Sequence, residues 1–148
     1  MLFRSWVLAS PDLTDSIRKV HDFFTVGAAH PLQIAGVTAL GLPDDYYRDL
    51  AAKYTERRDA MIAMLEPAGF RCFRPQGAYY VMADISGFGF SDDTAFAMHL
   101  VENIGIAAVP GSCFFAKSNF GDQIIRFCFP KKPETLEAAA TALRKLRE

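Results

Sequence analysis

The segment from residue 106 to residue 132 reads IAAVPGSCFFAKSNFGDQIIRFCFPKK, and it decides how the rest of the chain is interpreted. Two apolar runs flank a loop of small and polar residues, which predicts two strands joined by a long connection. Because side chains alternate along a strand, Arg126 shares a face with Ile124 and Cys128. The other face carries Ile125, Phe127 and Phe129. Both faces are apolar, and a guanidinium that keeps its proton needs an anion when it is buried.

Two interpretations of Arg126 follow from the residues alone. It pairs with one of the chain's own carboxylates or extends its charged end to solvent, or it binds the carboxylate of a ligand through its planar fork of donors. The loop Pro110–Asp122 also allows two interpretations. Its small and polar residues either present amides and hydroxyls to an anion or form a flexible hairpin end; they are Gly111, Ser112, Ser118, Asn119 and Gly121.

Composition bounds the class of protein. A chain of 148 residues is long enough for one domain with its own core, and its net charge of -1 gives no basic excess for nucleic-acid binding. No apolar run is long enough to predict a membrane span. The three cysteines (Cys72, Cys113 and Cys128) are odd in number and widely spaced, which predicts free thiols in a reducing cytoplasm.

From residue 44 onward, apolar periodicity and turn residues predict the order α-β-β-α-β-β-α. Asp44 is the predicted N-cap of a long helix that Gly69 ends. Strands are expected over Phe70–Phe73 and Ala78–Ile85, joined by a turn at Arg74–Gly77. Asp92 and Asp93 start the helix that follows these strands, and Gly105 ends it. Pro133 begins the last helix. The predicted fold class is α/β, a small sheet with helices packed on it.

The first 43 residues do not form a domain of their own by this pattern. A strand is expected over Phe3–Leu8, followed by helices that start at Pro11 and at His30. The predicted division is therefore 1–43, a remnant of a larger domain with connecting helices, and 44–148, a small domain. A strand so near the first residue would be an edge without a neighbour from earlier sequence.

Other candidate sites receive structural interpretations. Ser16 and Lys19 have the Ser-x-x-Lys spacing of some acyl enzymes, but they lie on the polar face of a predicted helix. The histidines, His21, His30 and His99, have no second ligand at helical spacing, so no metal site is predicted.

Several collinear motifs resemble one family. VPGSCFF and IIRFCFPK, with PQGAYYVMADIS upstream, are similar to the C-terminal region of class I/II, fold-type I, pyridoxal-phosphate-dependent aminotransferases. SWVLASPDLTDSIRKVHDF resembles the stretch that follows the cofactor lysine of that family. DDYYRDLAAKYTERRDAMIAML resembles the long helix that enters its small domain. The resemblance implies transfer of an amino group between an amino acid and a 2-oxo acid, with pyridoxal phosphate as the cofactor.

The resemblance also implies roles for single residues. The family arginine that matches Arg126 binds the substrate α-carboxylate, and Tyr79 matches an aromatic position close to the substrate. The Schiff-base lysine of the family lies earlier in its sequence, so this chain is expected to lack it. Aligning the family's phosphate-binding motif on Trp6 places Phe3 at the arginine position and Arg4 one residue away. No catalytic, cofactor-binding or metal-binding residue is therefore assigned.

The resulting expectation is the C-terminal part of an aminotransferase, either truncated or encoded by a partial gene, that is inactive alone. Apolar surface meant for missing neighbours favours a homodimer or other self-association. Two alternatives stay open. One is a non-catalytic module that binds a carboxylate ligand or a partner chain, and the other is part of another fold-type I enzyme, such as a carbon–sulfur lyase or a decarboxylase.

Overall fold

The computed structural model describes residues 6–116 and 119–147. The chain forms two compact units, Met1–Tyr47 and Arg48–Glu148. The assignment of the first 43 residues to a larger cofactor domain stays a prediction. Within the described residues no helix is long and apolar enough to cross a membrane.

The first unit consists mainly of two helices that begin and end close to the predicted positions. Helix α1 spans Pro11–Thr25 and helix α2 spans His30–Leu40. A proline stands in the first turn of each, where its missing N–H costs no hydrogen bond. Neither helix buries a residue, so the apolar stripe of α1 is exposed; its members are Leu13, Ile17, Val20 and Phe24.

The strand predicted over Phe3–Leu8 lies partly outside the described residues, since the description begins at residue 6. Trp6, Val7 and Leu8 have no regular secondary structure, so the prediction is wrong for these three. A strand needs a neighbour to pair its backbone N–H and C=O groups, and no described strand pairs with this segment.

The second unit contains a four-stranded antiparallel sheet in the order β1-β2-β4-β3. Its strands are β1 (Arg71–Phe73), β2 (Tyr80–Asp84), β3 (Val109–Pro110) and β4 (Ile124–Cys128). The helices are α3 (Asp44–Leu65), which begins in the first unit, α4 (Asp93–His99) and α5 (Pro133–Leu143). The α/β class and the predicted element order from residue 44 onward are confirmed.

The core lies on one face of this sheet. Ile125, Phe127 and Phe129 are 0%, 4% and 2% exposed, and Phe96 of α4 packs among other aromatic rings beneath them. The predicted alternation along β4 is therefore confirmed. On the opposite face, Arg126 is only half-buried.

Local differences from the predicted elements have simple causes. Asp44 is the first residue of α3 and not its N-cap. Helix α4 continues into a π-helical turn over Leu100–Ile104, in which Leu100 is buried and Val101 is 49% exposed. The β1–β2 connection runs through residues 74–79, longer than the predicted tight turn.

Candidate functional site around Arg126

Arg126 lies in the middle of β4 with a strand on each side. Its register partners are Met82 in β2 and Val109 in β3. This central position fixes the backbone on both sides, so the side chain leaves the sheet from a rigid base. Sites on regular elements of this kind hold their groups more accurately than sites on loops.

Two aromatic rings flank the guanidinium. The Cζ atom of Arg126 lies 5.0 Å from the ring centroid of Tyr80 and 4.4 Å from that of Phe114. Tyr80 begins β2, on one side of β4, and Phe114 ends a 3₁₀ turn, Gly111–Phe114, that follows β3 on the other side. Both distances are short enough for cation–π attraction. The rings therefore hold the cation but supply no hydrogen-bond acceptor in the plane of its donors.

The guanidinium has an unpaired donor. Its Nε atom is buried and makes no hydrogen bond. Among residues 6–116 and 119–147, no carboxylate lies within 4.0 Å of the Arg126 guanidinium, so the internal ion pair considered from the sequence is not formed there. A buried N–H without a partner is costly, and one that belongs to a permanent cation is an attachment point for an anion.

Tyr79, the aromatic residue expected near the substrate, lies just before β2 and is 53% exposed. Its ring packs edge-on against that of Tyr80 at 5.8 Å, and its carbonyl accepts a hydrogen bond from the Phe129 amide at 3.1 Å. The structure thus places Tyr80 directly against Arg126 and Tyr79 one ring farther out. Alternation along β2 could have identified Tyr80 from the sequence, because Tyr80, Met82 and Arg126 fall on one face.

The connection that carries Tyr79 is tied to α3. Arg74 donates to Asp59 at 2.7 Å. Arg58 donates from Nε to the same carboxylate at 2.8 Å and from Nη1 to the Pro75 carbonyl at 3.3 Å. The hydrogen bond from Arg58, followed by the charges of Arg58 and Arg74, holds the pKa of Asp59 below its usual value. These contacts limit the positions that the Tyr79 segment can adopt.

In the described part of the loop after β3, the polar groups of Ser112 bind a carboxylate of the protein. The amide of Ser112 donates to Asp93 Oδ2 at 2.7 Å, and its hydroxyl donates to Asp93 Oδ1 at 3.1 Å. Gly111 and Gly121 pack backbone against backbone at the base of the loop. Ser118 lies outside the described residues. The anion that Ser112 binds is therefore a carboxylate of the protein itself.

An apolar groove of about 490 Å³ adjoins the arginine. It lies between β4, the segment before β3, and α5, and its lining includes Arg126, Cys128, Lys131 and Leu136.

In the part of the chain that the structure describes, no three His, Cys, Asp or Glu side chains are grouped as metal ligands. His99 packs against Phe90 and Phe96, a contact of the kind that the structural interpretation of this histidine predicts.

Comparison with known proteins identifies one family over nearly the whole chain. The family model for aminotransferases of class I and II matches residues 5–143. Methionine aminotransferase of Escherichia coli is 33% identical over 141 residues, which is 95% of this chain and 36% of that protein. Kynurenine–oxoglutarate transaminase 1 of the rat is 31% identical, over 97% of this chain and 38% of its own.

A solved structure gives the same result. N-succinyldiaminopimelate aminotransferase from Mycobacterium tuberculosis superposes with a TM-score of 0.82 and 30% identity, over 91% of this chain and 35% of its own length. The chain thus spans little more than a third of the length of each of these three relatives.

Proposed function

This chain belongs to the family of class I and II aminotransferases, and from that premise we propose that it provides the substrate-carboxylate site of such an enzyme. Members of the family use pyridoxal phosphate. The proposed parent reaction transfers an amino group between an amino acid and a 2-oxo acid, and both carry a carboxylate beside the reacting carbon. The observation that carries the proposal is the buried, unpaired Nε of Arg126.

The geometry around Arg126 suits a carboxylate. A guanidinium binds a carboxylate through two parallel N–H···O bonds in its own plane, and such charge-assisted bonds are about twice as strong as neutral ones. Tyr80 and Phe114 stabilise the cation through their ring faces and do not compete for its in-plane donors. The adjoining groove is large enough for the apolar part of an amino-acid side chain. Tyr79 forms the outer wall of the proposed site.

The described residues of this chain do not fit a covalent site for the cofactor. Every lysine that the structure describes is solvent-exposed; they are Lys19, Lys53, Lys131, Lys132 and Lys145. A lysine that reacts with a carbonyl group at neutral pH needs burial or a neighbouring cation to lower its pKa. We therefore derive no chemical step through pyridoxal phosphate on this chain, and we propose that the chain alone has no aminotransferase activity.

This proposal predicts how the chain reacts with pyridoxal phosphate. When the two are mixed and reduced with borohydride, peptide mass mapping is expected to find low labelling spread over the exposed lysines. No lysine should exceed the others by more than about threefold, because solvent-exposed amines have no neighbouring group that makes one of them more reactive than the rest. Stoichiometric labelling of a single lysine would contradict the assignment.

The carboxylate site is tested with a matched pair of small ligands. 3-Phenylpropionate carries a carboxylate and an apolar tail, and 3-phenylpropionamide has nearly the same shape without the charge. Ligand-observed NMR is expected to detect binding of the acid and to find the amide at least tenfold weaker. Equal binding of the two would mean that the groove binds the ring and that Arg126 has no part in it.

One further point supports this proposal over the alternative enzymes, and two others concern assembly and location. The relatives reported above are named as aminotransferases or transaminases, which favours this activity over a carbon–sulfur lyase or a decarboxylase. Exposed apolar side chains on and after α1, such as Phe23, Phe24 and Val26, favour a homodimer or another partner chain. The three free cysteines accord with the proposed cytoplasmic location.

A further inference from the structure

We propose that Asp93 is a positioning residue for the carboxylate site, because it fixes the turn that presses Phe114 against Arg126. The proposal rests on the proposed function of Arg126 as the carboxylate-binding group. Asp93 does not contact the ligand in this account. It acts indirectly: it binds Ser112, and Ser112 lies in the turn that positions Phe114.

Asp93 is itself an unusual residue in this fold. It is 1% exposed, and it is the buried charged residue among a core of apolar side chains in the described part of the chain. Its carboxylate accepts two hydrogen bonds from Ser112, one from the amide and one from the hydroxyl, and a longer one from the Thr94 hydroxyl at 3.4 Å. Burial of a carboxylate is tolerated only where such bonds satisfy its oxygens, so the pair is expected to hold one geometry.

The consequence for Phe114 comes from the short turn between the two residues. Ser112 and Phe114 belong to the same 3₁₀ turn, Gly111–Phe114, and the amide of Phe115 donates to the Ser112 carbonyl at 3.1 Å. Phe114 is 49% exposed, so burial alone does not fix its ring. The contact of 4.4 Å between its ring and Arg126 therefore depends on where the turn is held.

A fixed ring affects binding through the entropy of the arginine. A long guanidinium side chain loses rotamer freedom when it binds an anion, and that loss is smaller when neighbouring rings already hold it in place. Phe114 supplies one of the two ring contacts. Removing the anchor at Asp93 should therefore loosen Arg126 before any ligand arrives, and should weaken the binding of a carboxylate.

The chain offers a matched control in the preceding residue. Asp92 is the N-cap of α4 and accepts a hydrogen bond from the Ala95 amide at 2.8 Å. Asp92→Ala and Asp93→Ala both remove a carboxylate from the start of the same helix. Only Asp93→Ala removes the anchor of the turn. A general loss of helix stability should therefore appear in both variants, whereas an effect on the position of Phe114 should appear only in Asp93→Ala.

The experiment measures two quantities on the full chain. One is the ¹H shift of the Arg126 Nε–H group without ligand, which reports the ring current of Phe114. The other is the affinity for 3-phenylpropionate. In Asp93→Ala we expect the Nε–H shift to move toward that of a Phe114→Leu variant and the affinity to fall roughly threefold to tenfold, in line with loss of one cation–π contact. Asp92→Ala should leave both quantities unchanged.

Two further variants keep the test decisive. Ser112→Ala removes only the hydroxyl bond and should move both quantities in the same direction by less. Asp93→Asn keeps an oxygen that accepts from the Ser112 amide and should restore much of the wild-type shift. Unchanged values in Asp93→Ala, or equal changes in Asp92→Ala, would overturn the proposal. If the wild-type chain bound no carboxylate, the proposed function would fail, while the shift measured without ligand would still decide the role of Asp93.

Discussion

Replacing Arg126 with lysine is expected to weaken the binding of a carboxylate roughly tenfold to a hundredfold, while the chain stays folded. Hydrogen bonds to charged groups contribute about 1.5–3 kcal/mol, and lysine cannot form the paired in-plane bonds of a guanidinium. Stability should change little, because the Nε atom of Arg126 is buried without a partner and its removal leaves no other group unsatisfied. Affinity is measured by titration with 3-phenylpropionate, and stability by urea unfolding.

A second arginine provides the control. Arg71 in β1 also lies near an aromatic ring, 5.8 Å from that of Phe73, but it pairs with Asp84 and its side chain is 76% exposed. Arg71→Lys should leave carboxylate affinity unchanged. If Arg126→Lys kept full affinity and lost several kcal/mol of stability, Arg126 would be a structural residue and the proposed site would be wrong.

Gly111→Ala is expected to destabilise the second unit by roughly 1–3 kcal/mol, the usual range for overpacking a close contact, and to disturb the site as well. A Cβ atom at this position would lie 2.7 Å from the Ile124 carbonyl oxygen and 2.8 Å from that of Gly121. These are backbone atoms, so neither can rotate away, and β4 or the turn must move. The displaced turn would carry Phe114 off Arg126 and lower carboxylate affinity.

Gly87 is the matched control for this substitution. It also stands in a 3₁₀ turn, Ser86–Phe88, but a Cβ atom there would meet nothing within 4 Å. Gly87→Ala should therefore change the urea midpoint and the affinity very little. A Gly111→Ala variant with wild-type stability would show that the contact between residues 111 and 121 is looser than the structure indicates.

The sequence was sufficient for features that depend on local pattern. Alternation in QIIRFCF placed Arg126 opposite the core-facing Ile125 and Phe127, and the structure has them so. Helix starts at Pro11, His30 and Pro133 followed from fixed proline geometry. The same reasoning fails for residues 6–8, where apolar character predicted a strand. A strand also needs a partner strand, which a local pattern cannot supply, and no described strand pairs with these residues.

Half of the candidate site depends on contacts between distant residues. Phe114 approaches Arg126 from a turn twelve residues earlier in the chain, and Asp93 reaches Ser112 across 19 residues. Apolar periodicity carries no information on such pairs. The sequence correctly placed Asp93 at the start of a helix, where acidic residues are common. This position explains the residue without any distant contact, so nothing in the sequence indicated its hydrogen bonds to Ser112. Alternation along β2 places Tyr80 on the face of Met82, which pairs with Arg126, whereas the family resemblance pointed to Tyr79.

The most direct test of the account is the ¹H–¹⁵N resonance of the Arg126 Nε–H group, assigned by its absence in Arg126→Lys. Titration with 3-phenylpropionate is expected to shift this resonance saturably, because the buried Nε gains the acceptor that it lacks. 3-Phenylpropionamide should leave it in place over the same concentrations. A resonance that does not respond to the carboxylate, or that responds equally to the amide, would contradict the assignment of Arg126 as the carboxylate-binding group.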